Sequence, residues 1–441
     1  MRRAIFFLIG LTTLPMHANS APAQDKALPD WTPGWPRDEI KPRFDINLVG
    51  GTRKDGSLLI IADQREGQHG WWQKSFPITG RKFYRFHAAR QTKDVDVPRR
   101  CAVVRILWQD DKGKPVRVDP PDDTKGSLPT AEPEYPVDGD VVNGWAEVGG
   151  VYRAPSNATK AIVELHLRWA PGGRIEWCDA SLAECTPPSP RRVRLAAVHF
   201  RPQGGKTPMD NCKMFEPHIA EAAKQKADLV VLGETITYVG LGKTFLDVAE
   251  PIPGPATEYF CALAKKYKIH IVVGLVERDG SLIYNVAVLI GPDGRIIGKY
   301  RKVCLPRSEV EAGLSPGKDY PVFNTKLGKI GMMVCYDGFF PEVARELSNR
   351  GAEVICWPVW GCNPLLSAAR ACENHVHLVS STYTDVSSNW TITAVYGHDG
   401  RPIAKADKWG TIVIAEVDLS QRFFWRNNLG DFRAEIQRSR P

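Results

Sequence analysis

The sequence predicts a two-part chain, an all-β sandwich or jelly roll followed by a layered α/β unit with a mixed sheet. Three observations predict it. Residues 22–186 are rich in Gly, Pro and Trp and run in short alternating segments cut by turns. From residue 193 onward, apolar strand-like runs alternate with helix-forming stretches. Between the two, Thr186-Pro-Pro-Ser-Pro-Arg-Arg192 changes the composition abruptly, and 187–192 read as a proline-stiffened linker.

In the first part, Lys82-Phe-Tyr-Arg-Phe-His87, Ala102-Val-Val-Arg-Ile-Leu-Trp108 and Lys160-Ala-Ile-Val-Glu-Leu-His-Leu-Arg-Trp169 are strand-like. Asp-Lys-Gly and Pro-Gly-Gly turns separate such runs, and little helical periodicity is present. Trp71, Trp72, Trp108 and Trp145 are candidates for stacking on sugars, with core packing the alternative. Cys178 and Cys185 read as a close pair in a polar loop able to form a disulfide, with Cys101 a further partner.

In the second part, 193–441, the expected order is a strand over 193–200, a helix over 211–226, a strand over 228–232, a helix over 256–267 and a strand over 269–276. Strands over 285–290 and 295–300 follow, joined by the Pro292-Asp-Gly294 turn. A strand over 329–334, a helix over 341–350, a strand over 353–357 and a helix over 365–374 come next. Strands over 376–383, 391–396 and 411–417 close the unit. Pro255 and Pro341 stand where a helix tolerates proline, at its first turn.

The chain of 441 residues is long enough for two cores, and its 43% hydrophobic and 24% charged residues are ordinary for a soluble protein. A net charge of +8 without lysine–arginine blocks interleaved with aromatics argues against nucleic acid as partner. Residues 1–21 read as a cleaved signal peptide, with a basic start, a short apolar stretch ending at Pro15 and small residues at Ala18-Asn-Ser20. The protein is therefore expected to be secreted or periplasmic, with no stable membrane span after signal removal. Seven of the ten cysteines lie beyond residue 200, mostly in apolar runs, and no pairs have zinc-ligand spacing, so no metal is expected.

Three strand-like runs end on chemistry. Lys329-Ile-Gly-Met-Met-Val-Cys335 stops at a thiol, and a Tyr-Asp-Gly turn and a helix follow. A thiol before a helix N-terminus can have a lowered pKa. Asp228-Leu-Val-Val-Leu-Gly-Glu234 ends in a carboxylate, and Arg295-Ile-Ile-Gly-Lys-Tyr-Arg-Lys302 in an ammonium. A thiol needs a base or a cation to act as nucleophile, and these residues supply both. His199, His375 and His377 read as packed or surface residues.

These blocks resemble the nitrilase superfamily of carbon–nitrogen hydrolases over residues 193–420. The carriers are Leu232-Gly-Glu234, Gly298-Lys-Tyr-Arg-Lys302-Val-Cys-Leu-Pro306 and Gly331-Met-Met-Val-Cys335-Tyr-Asp337, with Gly351-Ala-Glu-Val-Ile-Cys-Trp-Pro358 and Ala369-Arg-Ala-Cys-Glu-Asn374 in support. The resemblance implies an α-β-β-α sandwich, a Glu234–Lys302–Cys335 catalytic triad, no cofactor and assembly into a dimer or larger homo-oligomer. It also implies a further glutamate before Pro316-Gly317, for which Glu309 is preferred over Glu311. Cys304 stands where many relatives have His, and is expected to be a packing residue. The backbone N–H of Tyr336 would join Lys302 in holding an oxyanion, and Trp357, Trp360 and Asn363 are candidate pocket residues, with core packing the alternative for both tryptophans. The implied activity is hydrolysis of a small-molecule amide through a thioester, with a small linear amide the first expectation. An inactive scaffold that binds glycans or ligands, and an amide or acyl transferase, are the alternatives.

Overall fold

The computed structural model describes residues 28, 30–119, 130–422 and 438–439. The signal peptide expected over 1–21 lies outside the described residues. The N-terminal part is all-β, as its turn-rich pattern implies. One antiparallel sheet orders Thr32–Gly34, His69–Pro77, Lys160–Arg168 and Val104–Gln109. The other orders Arg43–Asn47, Ser57–Ile61, Arg174–Cys185, Phe83–Lys93, Trp145–Arg153 and Val137–Val142. Ile60, Phe86, Ile106, Leu165, Ile175 and Trp177 belong to the core they enclose. Each such side chain contributes roughly 1.5–3 kcal/mol by leaving water.

Core packing, the alternative for the tryptophans, holds for Trp72 and Trp108, and the Cys178–Cys185 pairing fails. Trp72 and Trp108 are core residues, 5% and 3% exposed, and Trp71 packs on the His166 ring at 5.1 Å, so none of the three offers an open sugar platform. Cys178 and Cys185 lie on the same strand, Arg174–Cys185. Seven positions along extended chain span about 23 Å, far beyond disulfide reach. Cys101, Cys178 and Cys185 are all free thiols. Polarity near 179–184 suggested a loop, but the run is strand with an irregularity between Cys178 and Ser181.

Residues 186–191 run exposed and without regular structure into the α/β part. There one six-stranded sheet orders Ile296–Arg301, Leu282–Ile290, His270–Asp279, Leu229–Val231, Arg192–His199 and Thr411–Asp418. The second orders Val322–Thr325, Gly328–Met332, Val354–Val359, His377–Thr382, Ala394–Tyr396 and Pro402–Lys405. Side chains alternate across the strand that opens the unit. Leu195 and Ala197 belong to the same core cluster as Ile330, Met332 and Cys356 of the second sheet, while Ala196 and Val198 belong to the cluster of Phe215, Ile219 and Phe260 of the helices. Helices Pro208–Met214, Glu216–Lys224 and Pro255–Tyr267 cover the first sheet. Helices Pro341–Asn349 and Pro364–Asn374 cover the second through Val343, Leu347 and Ala371. The layers are therefore α-β-β-α. Among the described residues no helix is long and apolar enough to cross a membrane.

The helix expected over 211–226 is two helices, broken at Phe215 where Pro217 opens the second. Val322–Thr325 and Pro402–Lys405 are strands beyond the sequence expectation. Both are short edge strands, and an outer strand tolerates the proline and polar residues that mask its pattern.

The centre of each sheet is parallel: Arg192–His199 with Leu229–Val231 and His270–Asp279 in one, Gly328–Met332 with Val354–Val359 and His377–Thr382 in the other. Parallel strands end together, so Glu234, Cys335, Trp360 and Tyr383 leave neighbouring strand ends. Crevices at the carboxyl ends of parallel strands are where α/β proteins bind ligands.

Candidate active site

Each functional side chain is held by its local backbone. Cys335 begins a 3-10 turn, Cys335–Phe339, with φ 43°. Thr235, directly after Glu234, has φ 42°. Left-handed backbone costs a non-glycine residue about 1–3 kcal/mol, so both strand ends are held in conformations the surroundings enforce. At Cys335 the enforcing contacts are visible. Trp357 Nε1 donates to the Cys335 carbonyl at 3.2 Å, and Arg370 donates to the carbonyls of Gly338 and Phe339 at 3.1 and 3.3 Å. Asp337 accepts from the Val334 N–H (2.9 Å), the Cys304 N–H (2.9 Å) and the Tyr300 hydroxyl (2.8 Å). It thereby ties the Cys335 turn to the segment bearing Lys302. Burial pushes the Asp337 carboxyl up to about 6.

Glu234 is fixed at both carboxylate oxygens. Oε1 accepts from Asn285 Nδ2 at 2.8 Å and Lys302 Nζ at 3.3 Å, and Oε2 accepts from the Trp360 N–H at 2.8 Å. Its own carbonyl accepts the Tyr383 hydroxyl at 2.7 Å. Gly274 lies against this loop: a Cβ there would stand 2.6 Å from the Glu234 Cα. Only glycine lets the neighbouring strand approach so closely.

Lys302 is 1% exposed, and its Nζ also donates to Glu309 Oε1 at 2.8 Å. Asn285 Nδ2 reaches the same Glu309 oxygen at 2.9 Å. Burial works against the Lys302 charge, but Glu234, Cys335 and Glu309 outweigh it and hold the ammonium above its ordinary range. Burial pushes the Glu309 carboxyl up, against the pull of Lys302.

Cys335 lies in the same cleft, a cavity of about 980 Å³ that Glu234, Lys302 and Glu309 also line. Its thiol interacts with the Glu234 carboxyl and the Trp360 N–H. Burial, and then the Glu234 charge, push the thiol above its ordinary range despite Lys302. The sequence suggested the opposite sign, from a helix N-terminus. Here desolvation dominates. The resting sulfur is protonated, so its proton must leave as it attacks. Alkylation by iodoacetamide, followed by peptide mapping of Cys335, is accordingly expected to be slow near neutral pH and to rise about tenfold per pH unit into the alkaline range. A plateau reached below about pH 8 would contradict the raised thiol.

The cleft brings together Glu234, Lys302, Cys335 and Glu309, with Tyr336 and Trp360 in its walls. It does not include Glu311, which is exposed and pairs with Arg307 at 2.6 Å. Successive positions on the short helix Arg307–Glu311 point different ways, and Glu309 takes the inward one. Trp357 is fully buried behind the Cys335 turn rather than lining the cavity. Asn363 caps helix Pro364–Asn374 through the Leu365 N–H. No histidine is among the described lining residues, and His199, His375 and His377 are buried elsewhere. Cys304 is half-buried against the core and meets Asp337 through its backbone.

Sequence reasoning missed Asn285, Tyr383 and the structural part played by Asp337. Asn285 had a readable signal, a lone amide inside the apolar run Leu282–Ile290. A buried amide needs partners, and here both are carboxylates.

Residues 194–427 match the carbon–nitrogen hydrolase family. The chain belongs to that family. It is 32% identical over 251 residues to omega-amidase NIT2-B of Xenopus laevis, covering 52% of this chain and 89% of the relative. It is 39% identical over 197 residues to a nitrilase of Pyrococcus abyssi, covering 43% of this chain and 74% of the relative. Citrullinase of Francisella tularensis is 31% identical over 250 residues, covering 49% of this chain and 87% of its own. Among solved structures, Nit3 of Saccharomyces cerevisiae is 27% identical, covers 52% of this chain and 90% of its own, and has a TM-score of 0.46. The carbon–nitrogen hydrolase assignment makes the chain an enzyme of the nitrilase and amidase kind, working through a cysteine.

Proposed function

We propose that the protein is an exported amidase that forms a thioester on Cys335, with Glu234 as general base and acid and Lys302 as electrostatic stabiliser. The observation that carries this reading is the convergence of one thiol, two carboxylates and one buried ammonium in a single cleft. Glu234 takes the thiol proton as sulfur attacks the amide carbonyl carbon. The Lys302 ammonium and the Tyr336 N–H hold the oxyanion that develops. The C–N bond then breaks, Glu234 passes the proton to the leaving nitrogen, and ammonia or an amine departs. Water, deprotonated by Glu234, attacks the thioester and releases the acid, and the sulfur recovers its proton. Glu309 Oε2 is buried with no hydrogen-bond partner, which suits it to orienting the departing nitrogen or the water.

The test is to mix the enzyme with a primary amide, quench within the first turnovers and map acyl adducts by mass spectrometry while ammonia release is followed. The acyl mass is expected on Cys335, with ammonia appearing alongside. Ammonia release with the label on another cysteine, or none on Cys335 under any quench, would sink the assignment. An added amine that intercepts the acyl group faster than water would make the enzyme a transferase instead. Export is supported by the basic start and short apolar stretch of residues 1–21. It predicts a mature N-terminus near residue 22 outside the cytoplasm, read by fractionation and N-terminal sequencing.

A further inference from the structure

The buried charged groups of the cleft are Glu234, Lys302 and Glu309, and aromatic rings make up much of the remaining lining, beside the hydroxyls of Thr244, Ser308, Thr384 and Ser388. The Tyr238 and Phe245 rings stack at 4.1 Å and 17°. Trp360 meets Tyr383 edge-on at 5.3 Å. Trp390 and Leu246 also line the space, and they are 49% and 58% exposed, with Trp360 at 37%. Among the described lining residues the only charged side chain besides Glu234, Lys302 and Glu309 is the exposed Lys243.

Two features of this arrangement bear on substrate size. A volume of about 980 Å³ stands at the upper end of the range for pockets that enclose drug-sized ligands. An amide of about four or five non-hydrogen atoms would sit against the buried charged groups and leave the aromatic rings in water. Exposed tryptophan and leucine side chains gathered around one concave site gain stability when an apolar group covers them. We infer that the substrate is an amide carrying a bulky uncharged apolar group, aryl or branched alkyl, seated between Phe245, Trp360 and Trp390. This rests on the amidase reading above, and replaces the small linear amide expected from sequence.

The experiment measures kcat/KM of the full chain for two series. One varies the acyl side of a primary amide from acetamide through hexanamide to 3-phenylpropanamide. The other varies the amine side of N-substituted acetamides from methyl to benzyl. In at least one series kcat/KM is expected to rise about tenfold or more from smallest to largest, mainly through KM, because wall contacts form before the chemistry. Phe245→Ala and Trp390→Ala are expected to cut the ratio of large-amide to small-amide kcat/KM by about tenfold. Flat or falling values in both series, with acetamide turned over, would overturn the inference and leave the amidase standing. Turnover of no amide in either series would overturn both. Should a variant fail to fold, the two series on the unaltered protein still decide.

Discussion

Cys335→Ala is expected to lower amide hydrolysis by at least about 10⁴-fold while leaving the fold intact. Removing the nucleophile of a group that acts as a unit abolishes the covalent route, and only binding and oxyanion stabilisation remain. The structural cost is small, because the sulfur faces the cleft and the Cys335 turn is held by backbone partners. Trp357 binds the Cys335 carbonyl, and Arg370 binds the carbonyls of Gly338 and Phe339. Ammonia release by the variant, beside circular dichroism and thermal melting, reads both effects. Activity retained within about tenfold would exclude Cys335 as nucleophile. Loss of activity together with a collapsed melting point would make the result structural.

Lys302→Met is expected to destabilise the protein by about 3–5 kcal/mol, as well as inactivating it. The ammonium stands between two buried carboxylates, Glu234 at 3.3 Å and Glu309 at 2.8 Å. Methionine fills much the same volume but leaves those charges facing each other without a counter-ion. The loss is expected to shrink as pH falls, and the sign follows from Glu309. Its carboxyl is held above the ordinary range in the folded chain, so the native state keeps that proton to higher pH than the unfolded state does. Raising the pH from the unfolded value through the folded one therefore costs stability, and lowering it restores stability. Without Lys302 the Glu309 carboxyl moves further up and the window widens. Urea midpoints at about pH 5 and pH 8 test this. An equal loss at both would mean that packing, not charge, sets the effect. Adding Glu309→Gln to Lys302→Met should recover part of the stability.

The sequence showed the site best where chemistry interrupts an apolar run. Glu234 and Cys335 each stand just past a strand whose end is buried, and Lys302 just past a partly exposed edge strand, Ile296–Arg301, so each is found at the end of a strand-like run without knowing the sheet order. Such a run does not say which neighbour faces inward once regular structure ends. Glu309 and Glu311 are two positions apart on a single helical turn, and only the packed structure separates the buried one from the one paired with Arg307. Trp357 and Trp360 show the same limit. Strand Val354–Val359 is buried on both faces, so no alternation marks Trp357 as core and Trp360, just beyond the strand, as wall. In the β part, Cys178 and Cys185 are close in sequence, which brings two thiols together in a loop but holds them apart on an extended strand. Asn285 leaves the hydrophobic pattern of its nine-residue strand undisturbed, so its signal is not periodicity but the need of a lone buried amide for partners.

Asn285 lies in the first sheet of the α/β part and Glu234 and Lys302 follow strands of that sheet, while Cys335, Trp360 and Tyr383 follow strands of the second. The Trp360 N–H and the Tyr383 hydroxyl reach across to Glu234. The arrangement works as a two-key lock whose keys hang on separate leaves. A half-built chain with one leaf in place owns either the sulfur or its proton acceptor, never the pair, so the capacity for turnover arrives only when the leaves close on each other.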